Sequence, residues 1–148
     1  MNITEIKINK KKYLDLLLIA DEQESMIDLY LERGNMFVLN DNGVKGCIVI
    51  TIEGDGIIEI KNLAIYPDSQ KKGYGKRLIE FVCNKYKGIY KEVIVGTGDS
   101  PLTVPFYKKC GFKKYRVEKD FFTKNYDHPI FECGIQLVDM VYLKRSVL

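Results

Sequence analysis

The sequence predicts a mixed α/β (α+β) fold: a mostly antiparallel central sheet of about seven strands with helices on both faces. Three observations carry this. Apolar residues make up 46% of the 148 positions, enough for one buried core. Stretches of strand and helix periodicity follow one another as β α α β β β α β α β β, which is not the regular alternation of a doubly wound nucleotide fold. Two apolar runs flank Asp41-Asn42-Gly43, a turn suited to an antiparallel hairpin.

Taken in order, "NITEIKI" at 2–8 alternates and reads as the first strand. Residues 11–20 and 22–33 have helical spacing, broken near Asp21 and ended by Gly34. "MFVLN" at 36–40 and "VKGCIVITIE" at 44–53 form the hairpin. "IIEIKNLAIY" at 57–66 follows the Gly54-Asp55-Gly56 turn, and Pro67 stops it. A helix from about Gly75 to Tyr86 buries Leu78, Ile79, Phe81 and Val82. "KEVIV" at 91–95 is a strand, and a short helix closed by Gly111 follows. Pro105 has no N–H to donate, so the cap of that helix belongs near Thr103, with Pro105 in the first turn. "FKKYRVE" at 112–118 and, after a long loop, "IQLVDMVYLKR" at 135–145 complete the sheet. No repeat, low-complexity tract or Pro/Ser-rich linker interrupts residues 1–148, which read as a single domain.

Charge and cysteine usage narrow the function. A net charge of +3 suits an anionic small ligand and is too weak a bias for nucleic acid. Cys47, Cys83, Cys110 and Cys133 are scattered, without a C-x-x-C pair and with His128 the one histidine, so no metal signature is present. Scattered thiols without a signal peptide read as reduced and cytoplasmic. The apolar run "LLLIA" at 16–20 is far too short for a membrane span.

The stretch "PDSQKKGYGKRLIEFV" at 67–82 sets a glycine-rich, basic turn at the mouth of a helix. It is not a Walker A loop, because Arg77 follows Gly75-Lys76 and Gln70 stands at the first glycine's place. Nor is it a dinucleotide fingerprint, because Leu78 takes the third glycine's place. What remains, Q-x-x-G-x-G opening a helix, can direct backbone N–H groups from about Lys71 to Lys76 into one concavity fit for a pyrophosphate. Lys71, Lys72, Lys76 and Arg77 add a favourable field. The competing reading is a surface turn with solvated lysines.

"LAIYPDSQKKGYGKRLIEFV" at 63–82, with "FYKKCGF" at 106–112, resembles the Gcn5-related N-acetyltransferase (GNAT) family over essentially the whole chain. The stretch from Val95 onward is similar to a bacterial subgroup of unassigned substrate, in which Asn is expected where Asp99 stands. The resemblance implies acetyl-CoA as cosubstrate, no metal, and transfer of acetyl to a primary amine of a small molecule or peptide in a ternary complex. It implies a bulged strand whose Leu63, Ala64 and Ile65 pair with the pantetheine arm. The pyrophosphate falls to Gln70, Lys71, Lys72, Gly73, Tyr74, Gly75 and Lys76. Ser100 stands near the arm, where the family often has Asn.

The chemistry needs a neutral amine, and deprotonating one with a pKa of about 10.4 at pH 7 costs about 4.6 kcal/mol. Glu59, four residues before Leu63, is the candidate base; regular strand alternation puts Glu59, Lys61 and Leu63 on one face. Its alternative is a plain ion pair with a lysine. Tyr107 matches the family's usual acid, and a hydrogen bond to the leaving sulfur suffices for that role. Its alternative is a core aromatic. Backbone N–H groups around Leu63 to Ile65 are the candidate oxyanion donors.

The resemblance further implies that residues 19–26 and 119–134 line the acceptor side. Their acids, Asp21, Glu22, Glu24, Asp120, Asp127 and Glu132, suit a cationic amine or an ordinary solvated loop. Phe121, Phe122, Tyr126 and Phe131 suit a substrate wall or a homodimer contact. Two other classes stay open: an acyl-CoA-sensing module without turnover, and a basic regulatory domain, which the spread of lysines disfavours.

Overall fold

Strand alternation decides the architecture. In β2 (Asn35–Asn40) and β3 (Val44–Gly54), Met36, Val38, Cys47 and Val49 face one way and Phe37, Leu39, Ile48 and Ile50 the other. Both sets are buried, so the sheet must be covered on both faces. The computed structural model, which describes residues 1–148, shows how. Seven strands lie in one sheet. Besides β2 and β3 these are β1 (Asn2–Ile6), β4 (Ile57–Ile65), β5 (Glu92–Gly98), β6 (Lys113–Glu118) and β9 (Met140–Ser146). The order is β1-β2-β3-β4-β5-β9-β6, antiparallel except between β4 and β5.

Helix α1 (Leu14–Ala20) covers one face with Leu16 and Leu17. Helix α3 (Tyr74–Lys85) covers the other with Leu78, Ile79, Val82 and Cys83. Helix α4 (Val104–Lys109) adds Tyr107 to that second core. Its cap is Thr103, with Pro105 in the first turn where no N–H is needed.

Three elements differ from the sequence expectation. The segment 22–33 is a regular helix only over α2 (Glu24–Ile27). Beyond it the chain turns more tightly, because the buried Lys10 ammonium donates to the carbonyls of Leu31, Glu32 and Gly34 at 2.9, 3.2 and 2.7 Å. Those carbonyls therefore need no helical partner. The loop after β6 contains α5 (Phe121–Asn125) and a separate hairpin of β7 (Phe131–Glu132) and β8 (Ile135–Gln136). The expected strand 135–145 is accordingly split: Leu137 turns into a small core with Phe122 and Ile130, and pairing in the main sheet resumes at Met140.

Arg145 on β9 ties the α3/α4 layer to the sheet. It donates to Glu80 of α3 at 2.7 and 3.2 Å and to the carbonyl of Cys110, which ends α4, at 2.9 Å. The Arg145 guanidinium holds the Glu80 carboxyl below its ordinary range. We expect Arg145→Met to lose about 1–2 kcal/mol in urea unfolding, the low end reflecting the partly exposed Glu80. Because the folded pKa of Glu80 is lowered, this contribution is present above the unfolded glutamate range. It fades as pH falls through the folded value, so the gap to wild type narrows in acid.

Candidate active site

The site begins with a bulge. Opposite β3, Ile60 pairs with Ile50 and Asn62 with Val49, leaving Lys61 as the extra residue. Ile58 and Ile60 face the α3 core, but after the bulge Asn62 and Ala64 turn to the α1 side and Leu63 and Ile65 pack toward α3. Glu59 and Leu63 therefore lie on opposite faces, which corrects the one-face expectation; Glu59 shares its face with Asn62 instead.

Parallel pairing joins Ile57–Ile60 to Glu92–Val95 and then ends. Beyond it β4 stays with β3 and β5 with β9, so the two strands part. A cleft of about 810 Å³ opens between them. Ile65 turns its carbonyl to this open side, where the Gln70 side-chain amide donates to it at 3.0 Å. By ladder alternation the main chain of Leu63 faces the same way.

At one end of the cleft the chain enters α3. Gly73 caps the helix at φ 88°, and Lys71 also has positive φ, 62°. These turns set successive N–H groups around one concavity. The N–H groups of Lys71, Lys72, Gly73, Tyr74, Gly75 and Lys76 have no acceptor in the protein; the first helical bond runs from Arg77 N–H to Gly73. Gly75 is needed for close approach, since a Cβ there would meet the Phe106 ring at 3.1 Å. Tyr74 donates to Asp41 at 2.7 Å and pins the loop to the β2–β3 turn.

Of the residues named from sequence, Glu59, Leu63, Ala64, Ile65, Gln70, Lys71, Gly73, Tyr74, Gly75, Lys76 and Tyr107 line this cleft. Lys72 and Ser100 do not. Lys72 is exposed. Ser100 is buried in the turn before α4, where its hydroxyl accepts from the Leu102 N–H at 3.2 Å. Thr103 reaches the cleft wall instead, its hydroxyl donating to the Gly98 carbonyl at 3.0 Å.

Glu59 is 9% exposed and lies 3.1 Å from Lys61 Nζ. Burial pushes its carboxyl up, and the Lys61 charge opposes this only in part. Tyr107 sits in the α3 core against Phe106 and Phe112, with no protein partner for its hydroxyl. Burial raises its phenol well above the ordinary value, so it keeps its proton and has it to donate.

The far end carries a network that sequence patterns did not reveal. Asp21 accepts from Tyr30 at 3.1 Å and Tyr126 at 2.7 Å, and Tyr30 accepts from Asn62 at 3.1 Å. These partners are remote in the chain and follow no local motif. No cluster of three His, Cys, Asp or Glu side chains is placed to hold a metal ion, and no helix is long and apolar enough to cross a membrane.

Comparison with known proteins matches this architecture. Residues 32–114 fit the family model described as an acetyltransferase (GNAT) domain. The chain is 38% identical over 152 residues to the uncharacterized N-acetyltransferase YvbK of Bacillus subtilis (strain 168), covering 97% of each. A GNAT family acetyltransferase from Elizabethkingia anophelis, solved with acetyl-CoA bound, superposes with a TM-score of 0.91 at 34% identity, covering 98% of this chain and 97% of that one. A Bacillus subtilis acetyltransferase solved in complex with CoA gives 0.90 at 35% identity, covering 99% of both. The chain therefore belongs to the GNAT family of acetyltransferases.

Proposed function

We propose that this protein transfers the acetyl group of acetyl-CoA to a primary amine of a small molecule or peptide, by direct attack in a ternary complex. The carrying observation is the set of six unpartnered N–H groups, Lys71 to Lys76, at the mouth of α3. They suit a pyrophosphate because each supplies a donor, the helix end adds about half a positive charge, and Lys71 and Lys76 flank them. The open edge of β4 leads from this cradle toward Glu59, and Leu63 and Ile65 offer it main-chain groups for an amide-bearing arm. The E. anophelis and B. subtilis relatives solved with acetyl-CoA and CoA support the same ligand here.

When bound, acetyl-CoA supplies an activated thioester. The chain's own residues supply the rest. Glu59, raised by burial, takes the proton that the acceptor ammonium must lose, with Lys61 beside it to offset its charge. The Leu63 N–H, turned to the open edge, donates where negative charge develops on the carbonyl oxygen. Tyr107, with a free hydroxyl on the cleft wall, donates a hydrogen bond to the departing sulfur and keeps its proton. All four cysteines are unpaired, which fits a reducing compartment, and we assign the protein to the cytoplasm.

Thiol release from acetyl-CoA across an amine panel tests the activity. A sensing module would bind acetyl-CoA and release no thiol with any amine. Tyr107→Phe is expected to lower kcat about a hundredfold with little change in the KM for acetyl-CoA; full turnover would remove its role. Glu59→Gln is expected to lower kcat/KM for the amine about a hundredfold. In wild type, kcat/KM should fall as pH drops through the raised Glu59 pKa, and Glu59→Gln should lack that acid limb. The raised folded pKa also means that Glu59 destabilises the fold as pH climbs through it. The variant should accordingly gain thermal stability relative to wild type toward neutral pH.

A further inference from the structure

The far end of the cleft holds a carboxylate without a counter-charge. Among the cleft acids, Glu59 has Lys61 at 3.1 Å and Glu22 has His128 at 3.7 Å. Asp21 and Glu132 make no ion pair, and of these two Asp21 is the one held by the Tyr30–Asn62 network. The two Asp21 oxygens accept from the phenols of Tyr30 and Tyr126, at 3.1 and 2.7 Å, and from the Gln23 N–H, all neutral donors. Both phenols are neutral donors, and burial together with the Asp21 charge pushes them up and keeps them so. Holding a half-buried charge that only neutral groups answer is unfavourable, and a cation entering the cleft would relieve it.

Asn62 adds an independent sign. It lines the same cleft, is 3% exposed, and belongs to the same network through Tyr30. Its Nδ2 donates to the Leu17 carbonyl at 3.0 Å, and a carbonyl can only accept, so the amide's orientation is set. The Oδ1 is thereby left buried with no hydrogen-bond partner. A native buried acceptor of this kind is met by an ordered water or by a ligand group. The nearby rings point the same way. Phe122 and Tyr126 stack at 5.6 Å, Phe121 packs on both, and all three line the cleft. Aromatic faces favour an ammonium.

Resting on the acetyl-transfer reading above, we propose that this end of the cleft holds a second, cationic amino group of the acceptor, with Asp21 as the specificity-determining residue. The acceptor class is then an aliphatic diamine: one amine is acetylated near Glu59 while the other stays charged against Asp21. Chemically matched amines test this. With saturating acetyl-CoA, wild type is expected to use 1,4-diaminobutane with a kcat/KM about tenfold or more above butylamine, and 4-aminobutanoate least of all. Asp21→Asn should lower kcat/KM for the diamine about tenfold or more and for butylamine much less, so that the preference between the two collapses, and Asp21→Glu should restore part of it. If Asp21→Asn does not fold, the order of the three amines in wild type decides. Butylamine used as well as the diamine, equal loss on both amines in Asp21→Asn, or turnover of butylamine without turnover of the diamine overturns the proposal. Failure of the underlying reading looks different: no amine of the panel, butylamine included, then releases thiol from acetyl-CoA.

Discussion

Past Ile60 and Val95 the two parallel strands at the centre of the sheet stop sharing hydrogen bonds, and the cleft depends on that parting. Two features allow it. The extra residue at Lys61 re-aims the second half of β4, so that Leu63 and Ile65 pack toward α3 while Asn62 and Ala64 stay against α1. On the other side, β9 holds β5 along its whole length from Glu92 to Gly98, so β5 has a neighbour where β4 leaves it. A central strand thus acquires an open edge inside the molecule rather than at its rim. Unmet main-chain groups there cost about 1–3 kcal/mol each if dry. They are tolerable because the cleft is wide enough for solvent or a ligand to meet them.

The cleft that results is polarised. At the α3 end, main-chain N–H groups and lysines make an environment for anions. At the α1–α5 end, carboxylates and aromatic rings make one for cations. Glu59, Lys61 and Tyr107 lie between. Such separation orients two substrates of opposite charge toward one another without a moving part. It also explains the attention given to the walls: Lys10 fixes the turn that carries Tyr30, Tyr74 fixes the loop at α3, and the Arg145–Glu80 pair holds α3 against the end of α4, which carries Tyr107.

Much of this was legible in the residues because its causes are local. The Asp41-Asn42-Gly43 and Gly54-Asp55-Gly56 turns, the Gly73 cap and Pro105 in the first turn of α4 each follow from one residue's backbone preference. What was not legible has non-local causes. The helix expected over 22–33 is cut short by Lys10, which lies more than twenty positions upstream of the carbonyls it takes. The strand expected over 135–145 is broken because Leu137 is wanted in a small core with Phe122 and Ile130. The face of Glu59 relative to Leu63 turns on one inserted residue, which alternation alone cannot register. Asp21, Tyr30, Asn62 and Tyr126 meet only in the folded chain. Ser100 is buried in the turn before α4, where its hydroxyl caps the Leu102 N–H, a use that its place in the sequence does not reveal.

The six N–H groups at the mouth of α3 are the most direct point of attack. Backbone ¹⁵N–¹H spectra of the full chain, recorded while CoA is titrated in, report on each of them. We expect the amides of Lys71 to Lys76 to show the largest shifts and to gain protection from hydrogen exchange, with smaller changes along Leu63 to Ile65. Saturable CoA binding that leaves the Lys71–Lys76 amides unmoved while residues elsewhere respond would contradict this reading.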